Sequence, residues 1–256
     1  MTFQQPHDVS ESPTMKIYDW YNGPYPARVR IALAEKGLLS RIEFVPVNLW
    51  AGEHKKPEFL ALNYSGTLPV LELGDGTLIA ECTAITQYLD ALEGAPTLTG
   101  KTPTEKGLIH MMTKRAEIEF LDAVSVYFHH ATPGLGPDVE LSQNPEWGER
   151  MRDKAVRGMH YFNSVLKGQP FVAGNEFSMA DIALVGGMIF ASLVKLPIPD
   201  ECEALAAWQA RMHERSSVQQ WRAMVKRGSG TARATQFDHA TGTPPKAMPQ
   251  RTNSNA

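Results

Sequence analysis

Ser125 and His129 stand four residues apart in a stretch with helical patterning, so they share one helix face and can hold a water molecule between them. A histidine titrates near neutral pH and can pass a proton through one water, which makes the pair a candidate general base. Far earlier in the chain, Asn22-Gly23-Pro24-Tyr25-Pro26-Ala27-Arg28 forms the turn between a short apolar strand, Lys16 to Trp20, and a helix beginning near Pro26. In a strand-turn-helix unit the first helix amides face the turn unpaired, making a partly positive pocket where a thiolate or carboxylate can sit. Plainer roles are open to each residue. Ser125 can bond a carbonyl one turn back, His129 can cap the helix end, and the Tyr25 ring can pack in the core.

The elements that must position these groups fall into two halves. Val29, Ala32, Leu33 and Lys36 recur at helical spacing after the turn, and Gly37 stands where a left-handed cap belongs. Ile42, Phe44, Val45 and Val47 make a second strand, expected to pair in parallel with the first. Leu68 to Leu73, Gly74-Asp75-Gly76 and Thr77 to Ala80 read as a hairpin, followed by a helix that starts near Glu81-Cys82-Thr83 and carries Ile85, Tyr88, Leu89 and Leu92. Strand, helix, strand, hairpin, helix is the order of a thioredoxin-like domain, assigned to residues 15–93. A linker at 94–101 leads to Thr102-Pro103-Thr104-Glu105, a strong helix start. Helical stretches are expected near 103–130, 149–167, 178–194 and 201–225, with Ser178-Met179-Ala180-Asp181 as a second capping box. The fold class is therefore α/β plus all-α: a thioredoxin-like domain and then a helical bundle over 102–227. Residues 1–14 read as a flexible leader and 228–256 as a disordered tail.

The 256 residues carry a net charge of -3 with no basic block, which argues against nucleic acid as a partner. Neither an 18-residue apolar run nor a signal-peptide core is evident, so no membrane partner is expected and the cytoplasm is the expected compartment. Cys82 and Cys202 are the only cysteines and lie far apart, which removes a disulfide framework and a cysteine zinc site; no metal is expected.

Pro24-Tyr25-Pro26-Ala27-Arg28-Val29-Arg30, Asn63-x-x-Gly66-Thr67-Leu68-Pro69, Glu81-Cys82-Thr83-Ala84-Ile85 and Ser178-x-x-Asp181 occur in the order and spacing of the cytosolic glutathione transferases. The chain resembles that family over about residues 15 to 225. Leu49-Trp50-x-Gly52-Glu53-His54 and Ser125 to Gly136 look like its atypical fungal and bacterial branch, which lacks the usual Tyr, Ser or Cys activator. The resemblance implies glutathione as co-substrate, a small electrophile as second substrate and a homodimer. It implies that Pro69 is a cis-proline freeing the Leu68 backbone, beside Thr67, for the cysteinyl amide of the peptide. By the same resemblance Glu81 accepts from the γ-glutamyl ammonium, Cys82 and Thr83 hold the γ-glutamyl carboxylate, and His54, with Lys55 nearby, lies where relatives hold the glycyl carboxylate. Cysteine stands at position 82 where the family usually has serine, and this weakens the hydroxyl contact.

The usual serine or cysteine activator falls on Gly23, which offers no side chain. In glutaredoxin-like proteins, which this turn also resembles, the frame reads Cys-Pro-Tyr-Cys; here it reads Gly23-Pro24-Tyr25-Pro26, so the sulfur must come from a bound molecule. Three substitutes are open: the helix amides, Tyr25, and a water held by Ser125 and His129, to which the resembled branch attributes thiol deprotonation. His130 is the neighbour that can be confused with His129. The reading is a transferase that stabilises the thiolate of glutathione and conjugates it. A non-catalytic scaffold of the same fold, and a glutathione-dependent peroxidase or reductase using an enzyme cysteine, stay open beside it.

Overall fold

The structure, a computed structural model, describes residues 15–92 and 94–231. The leader over 1–14 and all but the start of the expected tail lie outside the described residues. Strand β1 (Met15–Asp19) leads through Gly23 into helix α1 (Pro24–Glu35), and strand β2 (Ile42–Pro46) returns parallel to β1. After the short helix α2 (Pro57–Leu60), strands β3 (Val70–Glu72) and β4 (Leu78–Ala80) form the hairpin and helix α3 (Cys82–Ala91) follows. The sheet order is β2-β1-β3-β4, with β3 antiparallel to both of its neighbours. Helix α1 begins at Pro24, two residues before the expected start, because Pro24 fits the first helical position, where no N–H is needed. At its other end Gly37 has φ 67°, and its N–H and that of Leu38 bond to Ala34 and Leu33 at 3.2 and 2.9 Å. That two-bond closure satisfies carbonyls the helix would otherwise orphan.

The second half is helical. Helix α4 (Pro103–Ala116) starts at the expected box, in which the Thr102 hydroxyl accepts from the Glu105 N–H while the Glu105 carboxylate reaches back. The single stretch expected over 103–130 is interrupted by a π turn (Glu117–Leu121) before helix α5 (Asp122–Ala131). Helix α6 (Pro145–Leu166) crosses that turn at Gly158, where any Cβ would collide with the Glu119 carbonyl. Helix α7 (Met179–Leu193) begins at the Ser178/Asp181 box, and the buried Asp181 also accepts from the Trp208 indole at 3.1 Å. The expected helix over 201–225 is two, α8 (Glu203–Glu214) and α9 (Ser216–Thr231). They divide at Arg215, whose extended backbone lets its guanidinium pair with Glu35 at 2.6 Å and lie 3.6 Å from the Phe177 ring centre. Helix α9 therefore runs past the boundary set at residue 227.

Helix α1 is buried from Pro26 to Leu33, all the way round rather than on one stripe. Val29 and Leu33 pack with the sheet and α3, and Ala27, Ile31 and Ala32 with the helical half, where Gly186 of α7 leaves room for Arg28: a Cβ there would lie 2.9 Å from the Arg28 side chain. The halves are also tied through Asp90 at the end of α3. It accepts the N–H groups of Thr97, Leu98 and Thr99 at 3.0, 3.0 and 2.9 Å and pairs with Lys36 at 3.0 Å. One carboxylate thus fixes the course of the linker into the helical half.

Candidate functional site

Between the two halves lies a cleft of about 930 Å³. Its floor is the turn into α1, where Gly23 and Tyr25 face it. One wall belongs to the sheet half: His54 in the turn Glu53–Lys55, then Thr67, Leu68 and Pro69, then Glu81, Cys82 and Thr83 at the start of α3. The opposite wall is α5, which contributes Asp122, Ser125, Phe128 and His129, with Glu140 and Leu135 from the loop that follows. The fold thus gathers into one cleft the residues that the sequence had assigned to the peptide and to its thiol, while His130 and Cys202 lie outside its lining.

The floor offers little backbone. Helix positions one and three are Pro24 and Pro26, so of the first three residues Tyr25 alone has an N–H. Gly23 N–H bonds to the Trp20 carbonyl at 3.0 Å, and Ala27 N–H to the Gly23 carbonyl at 2.9 Å. A side chain at Gly23 would crowd the Pro26 ring at 3.0 Å. The phenol of Tyr25 is committed elsewhere. Its O–H donates to Asp122 Oδ1 at 2.8 Å, and the ring meets Phe190 edge-on. Burial first, then the neighbouring Asp122 carboxylate, push this phenol well above its usual range, and the Ser125 hydroxyl acts on it as a donor in the opposite sense. Tyr25 is thus a neutral strut between the halves.

On the sheet wall, Leu68-Pro69 is cis. Glu81 has φ 69° and ψ 120°, a conformation that a side chain rarely tolerates and that costs about 1–3 kcal/mol. The Thr83 hydroxyl donates to Glu117 Oε1 at 2.7 Å. Its proton is already used, so the donors left at this helix start are backbone amides. Glu117, in the π turn, also accepts from Arg28 and from Lys114, each at 2.6 Å. Burial alone would raise this carboxyl, but Arg28 and the other donors together hold it below its ordinary range. Sequence reasoning missed Glu117. Neither its type nor its spacing shows that it joins both halves under the cleft.

Cys82 is buried with its thiol on the Tyr25 carbonyl at 3.4 Å, and burial pushes it up to about 11. Cys202 is buried as well, and burial raises it too. Neither is a thiolate at neutral pH. His54 is 4% exposed, its Nδ1 is buried without a partner, and burial, then Lys55 and His129, bring it down to about 4. It faces the cleft as a neutral ring with an unsatisfied nitrogen.

His129, in the last turn of α5, has its Nδ1 2.6 Å from Glu140 Oε1. The neighbouring His130 is occupied differently, since its Nδ1 accepts the Asn144 N–H at 3.0 Å and closes the loop after α5. Of the two histidines, His129 is the one that lines the cleft.

A thioredoxin-like half, a helical half and a cleft between them define the glutathione transferase class. Residues 22–92 match the family model of the glutathione S-transferase N-terminal domain, and residues 142–224 that of the glutathione S-transferase C-terminal domain. The chain belongs to the glutathione S-transferase family and is a transferase. Within the family it is 72% identical over 204 residues to glutathione S-transferase 2 of Saccharomyces cerevisiae, an alignment covering 80% of this chain and 88% of that protein. The crystal structure of Gtt2 from Saccharomyces cerevisiae superposes with a TM-score of 0.80 at 71% identity, covering 80% of this chain and 99% of that one. A glutathione S-transferase domain-containing protein from Marinobacter aquaeolei superposes with a TM-score of 0.78 at 49% identity, covering 79% and 99%.

Proposed function

We propose that the cleft binds glutathione, that the thiolate forms above the Gly23 to Tyr25 turn, and that it attacks a small electrophile held against Phe128, Leu135 and Phe190. The observation carrying this reading is the convergence of the sheet-wall groups with Ser125 and His129 on one cleft. In this reading the Leu68 backbone pairs with the cysteinyl amide. Glu81 receives the γ-glutamyl ammonium, and the amides of Cys82 and Thr83 take the γ-glutamyl carboxylate. The glycyl carboxylate lies by His54 and Lys55, where the unpartnered Nδ1 gains a use.

Proton removal belongs to Ser125 and His129 acting through a water. With two prolines in the first helical turn and the Tyr25 proton given to Asp122, the floor has few means of its own to favour a thiolate. Lowering a thiol pKa by about two units takes about 2.7 kcal/mol. Replacing Ser125 and His129 together by alanine is expected to raise the pKa of bound glutathione, read by ultraviolet absorbance of the thiolate, with little change in affinity. An unchanged pKa sinks the water-mediated step, and glutathione binding without turnover by the wild type would favour a scaffold. The peroxidase or reductase reading through an enzyme cysteine has little support, because both thiols are buried and raised.

The functional form in this reading is a cytoplasmic homodimer. The free cysteines fit a reducing compartment. No helix among the described residues is long and apolar enough to cross a membrane. Exposed apolar side chains at Tyr64 on the sheet half and at Leu108, Met111 and Ile118 on the helical half supply two patches for a twofold partner.

A further inference from the structure

The loop between α5 and α6 is built around one carboxylate. Glu140 Oε1 accepts the Leu135 N–H at 2.8 Å and lies 2.6 Å from His129 Nδ1, and its side chain is 11% exposed. Gly134 turns the chain with φ 56°, and a Cβ there would run into the Glu140 carboxylate. The loop is tied back onto the end of α5 by the Gln143 amide, which donates to the carbonyls of His129 and Thr132 at 2.7 and 2.8 Å. With Glu140 as a carboxylate, which only accepts, a neutral His129 ring carries its proton on Nδ1 and keeps the lone pair on Nε2.

From this geometry we infer that Glu140 is the positioning residue of the proton-transfer step: it fixes the tautomer and direction of His129 and stabilises the imidazolium formed when Nε2 takes a proton. The inference rests on the reading of His129 as the base. The proton leaves the glutathione sulfur for the bridging water, the water gives one of its own to Nε2, and the products are a thiolate and an imidazolium beside the Glu140 carboxylate. Removing that negative charge disfavours the charged pair relative to neutral thiol and neutral imidazole. The other titratable group that interacts with His129 across the cleft is His54 from the turn Glu53–Lys55, with His130 beside it in the chain.

Glu140→Gln is the informative variant, because both bonds fall on one oxygen that the amide can reproduce. The loop keeps its hydrogen bonds and loses only the charge. We expect the pKa of bound glutathione to rise by about one unit, and kcat/KM near neutral pH to fall roughly tenfold, with KM for glutathione almost unchanged. Glu140→Asp, which keeps the charge at a longer reach, should recover part of the loss. In the His129→Ala background Glu140→Gln should add nothing, since the two act as a unit. If His129→Ala raises the thiol pKa while Glu140→Gln and Glu140→Asp leave it at the wild-type value, the role of Glu140 is overturned and that of His129 stands. A further rise from Glu140→Gln in the His129→Ala background overturns it as well, because Glu140 would then act without the histidine. If His129→Ala itself leaves the pKa unchanged, the base assignment fails and Glu140 has no step to support.

Discussion

The Tyr25 hydroxyl donates to Asp122 Oδ1 at 2.8 Å, joining the turn into α1 on the sheet half to the first turn of α5. A phenol at this place in a glutathione-binding fold invites the role of thiolate donor. Its proton is already given, and burial with Asp122 beside it keeps it neutral. Tyr25→Phe should therefore change the pKa of bound glutathione by less than about half a unit, under about 0.7 kcal/mol. It should lower stability by about 1–2 kcal/mol, because the Asp122 carboxylate loses its partner. Thiolate absorbance and a urea unfolding curve on the same variant separate the two roles; a large rise in thiol pKa would return Tyr25 to the catalytic step.

His54 ties stability to pH. Unfolded, the ring protonates near 6.5; folded, burial and its cationic neighbours bring it to about 4. Between these values the unfolded chain binds more protons, so this group's contribution is present above 6.5 and is lost as pH falls toward 4. Asp181 acts with the opposite sign: burial raises it from 3.8 to about 6, so its contribution is present below 3.8 and is lost as pH rises through 6. The difference between wild type and His54→Gln isolates the histidine. The variant's unfolding midpoint should fall less steeply than the wild type's from pH 6.5 to pH 4, and equal slopes would contradict a buried neutral His54.

Glu81 holds a backbone conformation suited to glycine. Alanine and glycine at this position both remove the carboxylate proposed to receive the γ-glutamyl ammonium, so both variants should bind glutathione at least about tenfold more weakly. They should differ in stability. Glycine relieves the strain and alanine keeps it, so Glu81→Gly should be more stable than Glu81→Ala by about 1 kcal/mol, the reverse of the usual order at a helix. Isothermal titration with glutathione and thermal unfolding check both halves of this expectation.

Much of this was legible because local chemistry announces itself. Thr102 and Ser178 mark helix starts with a hydroxyl and an acid three residues on, and Gly37 marks a helix end by the conformation it alone adopts cheaply. Ser125 and His129 could be paired because helical spacing puts them on one face. The π turn at Glu117–Leu121 was not legible, since no Gly or Pro marks it and the close approach beside it, Gly158 against the Glu119 carbonyl, comes from another helix. Glu117 and Glu140 escaped for a related reason. A glutamate in a helix or in a Pro/Gly loop reads as solvated, and only tertiary structure brings Arg28 or His129 to it. The division at Arg215 lacked a Gly or Pro signal because its partners, Glu35 and Phe177, are distant in sequence.

The close approach of Gly158 to the π turn can be tested directly. A Cβ at this position would collide with the Glu119 carbonyl, which belongs to the backbone of the π turn and cannot swing aside as a side chain can. Gly158→Ala in an open helix would stabilise by about 1 kcal/mol. Here it should destabilise by about 1–3 kcal/mol, and because the turn carries Glu117 it should also disturb the contacts to Arg28 and Thr83. A urea unfolding curve showing Gly158→Ala as stable as wild type would mean that α6 does not press on the π turn.

The proposed dimer is motivated by apolar side chains that the single chain leaves exposed. Tyr64 is 92% exposed, in the segment between α2 and β3, and Leu108, Met111 and Ile118 are 46%, 39% and 46% exposed along α4 and the π turn. Positions 108 and 111 are one helical turn apart, so their side chains stand on one face, and apolar groups grouped in this way favour burial against a partner. The tyrosine is on the sheet half and the stripe on the helical half. A twofold axis that sets the sheet half of one protomer against the helical half of the other uses both patches twice. Wild-type protein should scatter light as a dimer at micromolar concentration, and Met111→Glu, which puts a charge into the stripe, should weaken the association by at least about tenfold while each protomer stays folded by circular dichroism. Wild-type protein that scatters as a monomer at that concentration would remove the dimer from the proposal.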